Sequence, residues 1–175
     1  MRGEPLSAGW LSQWQSQVGA ALETLMSTFE ERYGYPPGAN EIKPPDADSR
    51  SVVAELARER LTPADLVTFY RSIGEVVLTD VGNAYFFHSA GLVLDHLRSY
   101  EPVTLSGADD AKGVLIASDG AGIWFAVDAG GSVYRSSAAS TGSEFDKVTD
   151  SLREFLDLVR RSVVHFVDTG EPGHL

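Results

Sequence analysis

The sequence predicts an α+β domain with an antiparallel-rich sheet of about five or six strands flanked by helices. Two long amphipathic patterns, one near each end of the chain, predict the outer helices. Between them, residues 113–137 alternate short β-branched and aromatic runs with glycine turns, which predicts an antiparallel meander. With 175 residues and a hydrophobic fraction of 43%, the chain is large enough to bury one core.

The first helix is predicted by apolar residues that recur every three or four positions from Trp10 to Tyr33. Gly34, followed by two prolines, provides the stop signal. Since tryptophan side chains on an amphipathic helix mostly join the core, we expect Trp10 and Trp14 to be buried within the chain. The alternative is that they form an exposed adhesive face.

The domain organisation follows from the composition of residues 35–48, which are rich in proline and lack periodicity. We interpret residues 1–48 as an N-terminal helix and a Pro-rich linker. Residues 49–168 are interpreted as the α+β domain, which forms one compact unit with the N-terminal helix, and residues 169–175 as a loose tail.

Several internal boundaries can also be predicted. A helix is expected over residues 49–60, and Thr62 is expected to cap a third helix with Pro63 in its first position. Strands are expected at 76–78 and 84–88, and a helix at 89–100. The closing helix is expected to begin at Val148, where a new apolar stripe starts.

The composition excludes several functional classes. The chain has no cysteine, so disulfides, thiolate zinc sites and cysteine nucleophiles are excluded. Its formal net charge of −11 argues against nucleic-acid or membrane-surface partners and is compatible with a basic partner protein. The alternative is that the acidity only aids solubility. Without a signal peptide or a long apolar run, the expected location is the cytoplasm.

No catalytic, cofactor or metal site is predicted. The four histidines do not have the spacing of a metal-ligand set; they are His88, His96, His165 and His174. Asp46 and Asp48 lack the glycine and glutamate of a calcium loop, so a turn is expected there. The loop residues Asp109 and Asp110 are expected to be solvated. A pair of carboxylates acting as acid and base is left open, because sequence does not show which acids face each other.

Two segments resemble a known family. Residues 113–136 read GVLIASDGAGIWFAVDAGGSVYRS, and residues 150–159 read DSLREFLDLV. Their order and spacing, after helices and a strand pair, resemble the SMI1/KNR4 (SUKH) superfamily, in which a glycine-rich turn leads into an aromatic strand and a late SFxEFL helix follows. The chain departs from this pattern at Ala121, where the family turn has a glycine, and in its N-terminal helix, which resembles an extension.

The resemblance implies a non-enzymatic protein-binding module, and most bacterial members of the family resemble immunity proteins that bind and neutralise a toxin. A basic toxin is the partner that the charge favours. The alternatives are a regulatory or scaffolding adaptor for a cellular protein and, third, a small-molecule hydrolase. The sequence does not indicate an oligomeric state.

Candidate partner-binding residues come from the turns and from strand alternation. Alternation places Phe125 on one face of its strand and Trp124 and Asp128 on the other. The candidates are Asp80, Asn83, Asp119, Trp124 and Asp128. Four of the candidates also have a structural interpretation. Asp80, Asn83 and Asp119 could serve only to form turns, and Trp124 could be buried beneath a helix.

Overall fold

A computed structural model describes residues 4–107, 111–173 and 175. The described residues form five helices: α1 (Ala8–Tyr33), α2 (Ser49–Leu56), α3 (Ala64–Ser72), α4 (Ala90–Ser99) and α5 (Leu152–Thr169). The strands are β1 (Asn40–Lys43), β2 (Glu75–Leu78), β3 (Tyr85–Phe87), β4 (Val103–Thr104), β5 (Lys112–Asp119), β6 (Trp124–Asp128), β7 (Val133–Ser136) and β8 (Phe145–Thr149).

All the strands belong to one antiparallel sheet in the order β1-β2-β3-β5-β6-β7-β8, and β4 pairs with β5 beside β3. This architecture confirms the predicted α+β class. Within the described residues the sheet has eight strands rather than five or six. The unexpected strands are β1, β4 and β8. β1 lies within the Pro-rich segment that we interpreted as a linker, and it pairs with β2.

The two sides of the sheet are packed differently. On one side, all the buried hydrophobic side chains of the five helices join inward-facing strand residues such as Phe125 and Val127 in the main core. A smaller cluster on the other side is built only from strand and loop residues: Val103, Leu105, Ala126, Tyr134 and Phe145. The buried faces of the helices therefore lie on one side of the sheet, and the strand alternation predicted around Trp124 is confirmed.

The first and last helices pack against each other. Trp14 is 1% exposed, and its indole Nε1 donates a hydrogen bond to the carbonyl oxygen of Leu156 at 2.7 Å. Trp10 is partly buried, and the Arg153 guanidinium lies 5.2 Å from its ring centroid. Burial of Trp14 in the core is thus confirmed. Gly34 ends α1 in the left-handed region with φ 81°, as its position predicted.

Two predicted helix starts were wrong. Thr62 does not cap α3: its Oγ1 is buried without a hydrogen-bond partner among the described residues, and Pro63 occupies the N-cap position with extended backbone. The closing helix starts at Leu152 instead of Val148, because the polar segment containing Val148 pairs with β7 as strand β8. Ser151 caps α5 by accepting a hydrogen bond from the N–H of Glu154 at 3.2 Å.

The C-terminal segment turns back toward the protein after Gly170 caps α5. A Cβ atom at Gly173 would lie only 2.5 Å from Ser162 Oγ, so the backbone at Gly173 runs closely over α5. Leu175 packs against the main core. The division of the chain into helix, domain and tail stays a prediction. Among the described helices, none is both long and apolar enough to cross a membrane.

Candidate functional site

The side of the sheet opposite the main core is the candidate functional surface, and we call it the open face. Its strand positions include Val77, Phe86, Leu115, Ser118 and Trp124, all of which are partly exposed. The sheet register places them together, because Val77 pairs with Phe86, Phe86 with Ser118, and Ser118 with Trp124. Apolar and aromatic side chains, with Ser118 between Phe86 and Trp124, therefore form one surface across paired strands.

An aromatic row runs across the open face and consists of His88, Trp124, His96 and Tyr100. The ring centroids of His88 and Trp124 are 5.6 Å apart, and those of Trp124 and His96 are 6.0 Å apart. The His96 and Tyr100 centroids are 5.2 Å apart. Residues from β6, from α4 and from the segments that flank α4 thus meet around Trp124. Tyr100 is 68% exposed and forms the outer end of the row.

A groove of about 440 Å³ begins at the outer end of this row. It is lined by His96, Tyr100, Glu101, Pro102, Val103, Thr104, Leu115, Thr141, Gly142 and Ser143. The floor is apolar, and Glu101 supplies a carboxylate. Among the described lining residues there is no lysine or arginine, although Lys112 approaches and donates to Thr104 Oγ1 at 2.9 Å.

The environment of His88 favours its neutral form. Burial lowers the pKa of His88, the nearby His96 lowers it further, and the charge of Glu75 opposes both effects. His88 Nε2 is within hydrogen-bond distance of Ser118 Oγ, at 3.2 Å, and its carbonyl oxygen accepts a hydrogen bond from the Tyr70 hydroxyl at 2.7 Å. These contacts fix the imidazole beside Trp124.

The serine–histidine pair does not by itself make a nucleophile. Activation requires a third group to orient the imidazole and donors that stabilise an oxyanion. Glu75 is the carboxylate whose charge acts on His88, and its Oε2 accepts a hydrogen bond from Lys43 Nζ at 2.8 Å. Among the described residues the effect of Glu75 on His88 is electrostatic, without a hydrogen bond that would orient the ring, so we assign the Ser118–His88 contact to positioning of the ring.

Two of the predicted partner-binding residues form turns of the same design. Asp119 Oδ1 accepts hydrogen bonds from the backbone N–H groups of Ala121 and Ile123, each at 2.9 Å. Asp128 Oδ1 makes the equivalent bonds in the next turn, to N–H groups two and four residues further on, each at 2.9 Å. Asp119 is only 7% exposed. Both carboxylates therefore stabilise hairpins, which the turn interpretation predicted for Asp119 but which was not predicted for Asp128.

Asp80 also has an internal role, whereas the Asn83 side chain is exposed. Asp80 Oδ2 accepts hydrogen bonds from the Gly38 N–H and from Asn40 Nδ2, each at 2.7 Å, and so ties the Pro-rich segment to the β2–β3 turn. The Asn83 carbonyl oxygen accepts from the Gly120 N–H at 2.7 Å. A Cβ atom at position 120 would lie 2.4 Å from that oxygen, so only glycine fits this contact between the two turns.

The structure groups the predicted residues only in part. Asn83, Asp119 and Trp124 lie at the same end of the sheet, while Asp128 lies at the opposite end of β6. Trp124 is partly exposed and no helix buries it fully. Contact of these residues with a partner stays a prediction.

Sequence reasoning missed the other members of the aromatic row, His88, His96 and Tyr100. The histidines were considered only as metal ligands, and in the described part of the chain no group of three or more histidine, aspartate or glutamate side chains could hold a metal ion. A usable signal was present, because His88 lies two residues before the start of α4 and His96 lies on that helix. The contact of both rings with Trp124 depends on the sheet register and could not be read from spacing.

The acids near a second cavity, of about 310 Å³, are held in structural contacts. Asp46 Oδ1 accepts hydrogen bonds from the Asp48 N–H and from both the N–H and the hydroxyl of Ser49, which confirms the expected turn. The Ser49 hydroxyl is the main cause of the lowered pKa of Asp46. A general acid needs a raised pKa instead. Asp109, Asp110 and His174 lie outside the described residues.

No protein-family model matches the chain, and a search of curated proteins finds no match. The functional interpretation therefore depends on the geometry of the open face, the charge of the chain and the sequence resemblance.

Proposed function

We propose that this chain is a non-enzymatic protein-binding module and that it acts as an immunity protein, binding and neutralising a basic toxin. The observation that carries the proposal is the aromatic row on the open face, which leads into the 440 Å³ groove. Large aromatic side chains on rigid elements beside a pocket are typical anchors of protein interfaces.

The charge of the chain favours a basic partner. The formal net charge is −11, and Glu101 lines the groove next to Tyr100. Opposite charges steer two proteins together and raise the association rate, so an acidic inhibitor captures a basic protein quickly. The resemblance to the SMI1/KNR4 superfamily favours the same role, and the cytoplasm is the proposed location.

The hydrogen bonds of the acidic groups also support a binding role over catalysis. Asp80, Asp119 and Asp128 all accept backbone or side-chain hydrogen bonds that maintain turns. Each of these carboxylates is engaged in a structural contact, which favours a structural role for it over acid–base chemistry.

The proposal is tested by comparing two exposed tyrosines. Tyr100 is 68% exposed at the end of the aromatic row, and Tyr35 is 56% exposed beside Tyr33 and Phe29 on α1. Partners are captured from lysate of the source cells, identified by mass spectrometry, purified and titrated by calorimetry. We expect the Tyr100→Ala variant to bind its basic partner about 30-fold more weakly, a hot-spot loss of about 2 kcal/mol. Tyr35→Ala serves as the matched control and should bind normally.

A second assay tests neutralisation. Co-expression of the captured partner should stop growth, and the wild-type chain should restore it, whereas the Trp124→Ala variant should not, provided that its unfolding transition is unchanged. A captured partner that is not toxic, or that is a housekeeping protein, would favour the adaptor function. If Tyr100→Ala and Tyr35→Ala weakened binding of the partner equally, the interface would lie away from the open face.

A further inference from the structure

We propose that the groove between α1 and the free edge of β1 binds an extended basic peptide, which adds to the sheet as a further strand. This groove lies on a different part of the protein from the open face, and the inference does not depend on the proposed toxin-binding function.

The first observation is the free edge of β1. In the described part of the chain β1 is the end of the sheet and pairs only with β2. The Thr79 N–H donates to the Ala39 carbonyl oxygen at 3.1 Å, so Ala39 is a position whose backbone groups bond with the strand next to it. In an antiparallel ladder the intervening residues direct their backbone groups away from the partner strand. The backbone groups of Asn40 and Ile42 therefore face the free edge.

The second observation is a groove of about 340 Å³ between this edge and α1. One stripe of α1 forms its wall, and β1 forms the opposite side; the lining residues are Gln15, Gly19, Leu22, Glu23, Met26, Asn40, Glu41 and Ile42. Met26 is a large apolar side chain that is 37% exposed there. An edge strand beside a helix is the arrangement in which peptides bind by strand addition: the edge supplies main-chain hydrogen bonds, and the groove receives alternate side chains.

Gly19 provides an independent indication that another backbone approaches α1. It lies in the interior of a 26-residue helix, where glycine is less favourable than alanine. A Cβ atom at this position would have no heavy atom within 4 Å, so packing inside the chain does not require glycine. The missing side chain instead leaves the groove open at its centre, where a peptide would pass.

The charges around the groove indicate that the peptide is basic. Glu23 and Glu41 lie on its opposite sides, and its described lining includes no lysine or arginine. The cation of β1, Lys43, is hydrogen-bonded to Glu75 at 2.8 Å, and its Nζ lies farther from Glu41 Oε1, at 3.9 Å. Since residues of a strand alternate between its faces, the peptide should alternate apolar residues, which contact Leu22 and Met26, with basic residues. β1 has 4 residues and is followed by two prolines, so the paired segment is short.

The test uses a fluorescein-labelled peptide with the sequence Lys-Val-Lys-Val-Lys-Val-Lys, titrated with the full chain and followed by fluorescence anisotropy. We expect saturable binding that weakens at least tenfold when alternate backbone nitrogens of the peptide are methylated, because methylation removes the donors needed for strand pairing. In amide NMR spectra the peptide should shift the signals of Gly19, Leu22 and Ile42.

Two matched glycine substitutions test the position of the groove. Gly19→Leu fills it and should weaken peptide binding at least tenfold. Gly9→Leu lies on the same helix outside the groove, also at a position where a Cβ atom has no neighbour within 4 Å, and should leave binding unchanged. Both variants should melt at or above the parent temperature, because leucine is more favourable than glycine in a helix. Equal binding of the methylated and unmethylated peptides, an unaffected Gly19→Leu variant, or a groove occupied by a second copy of the chain would each overturn the proposal.

Discussion

Replacing Asp119 with alanine should lower the free energy of unfolding by about 3 kcal/mol. The carboxylate accepts N–H bonds from Ala121 and Ile123, each at 2.9 Å, and the side chain is 7% exposed. A hydrogen bond to a charged group contributes about 1.5–3 kcal/mol. Ala121 is exposed, so water replaces part of the hydrogen bond that its N–H loses. The combined loss from the two bonds therefore lies near the lower end of the range expected for two such bonds. Asp119→Asn keeps one acceptor oxygen and should lose only about 1 kcal/mol.

The equivalent turn at Asp128 provides the comparison. Its carboxylate makes the same two backbone bonds and also accepts from the Tyr134 hydroxyl at 3.1 Å, but it is more exposed than Asp119. Because water compensates better there, Asp128→Ala should lose about 1–2 kcal/mol. Urea denaturation followed by tryptophan fluorescence measures each loss, and the m-value should not change. An Asp119→Ala variant within about 0.5 kcal/mol of the parent, or equal losses for Asp119→Ala and Asp119→Asn, would refute the reasoning.

Two further predictions concern the core and the open face. Trp14→Phe removes the donor to the Leu156 carbonyl oxygen and should lower the free energy of unfolding, measured by urea denaturation, by about 1–2 kcal/mol. Trp10→Phe should lower it less, because Trp10 makes no buried hydrogen bond of this kind in the described structure. Equal losses would contradict this assignment. Burial lowers the pKa of His88 in the folded protein below the value of about 6.5 that a histidine has in the unfolded chain. At a pH below about 6.5 the unfolded state therefore binds more protons, and the free energy of unfolding should fall as the pH drops through that value. His88→Gln should flatten this part of the urea-midpoint profile, and an unchanged profile would show that other groups cause it.

The elements that the sequence predicted well are those specified by local chemistry. The periodicity of α1 with its stop at Gly34, and the glycine turns of the meander, depend only on residues close together in the chain. Strands β1 and β8 were missed because both lie at the edges of the sheet and carry mostly polar residues. Their pairing depends on partners rather than on a hydrophobic pattern of their own.

The candidate site was less predictable for the same physical reason. Alternation correctly placed Trp124 on the side of β6 opposite the core. The rings that contact Trp124 are those of His88 and His96. Their positions depend on the sheet register and on where α4 packs, which the local sequence does not specify. The hydrogen bond between Asp80 and Asn40 joins residues 40 positions apart, and turn chemistry around Asp80 alone does not indicate it.

The pairing of the first helix with the last has a consequence for the order of folding. Loop closure between distant segments is entropically unfavourable, and neighbouring hairpins form before such contacts. The meander of β5, β6, β7 and β8 joins only consecutive strands, so it can form as soon as it is synthesised. By contrast, Trp14 finds its acceptor at Leu156, 142 positions later. During translation the part of α1 that packs against α5 therefore stays uncovered until Leu156 has been synthesised, and this is the period in which a nascent-chain chaperone would have a site to bind.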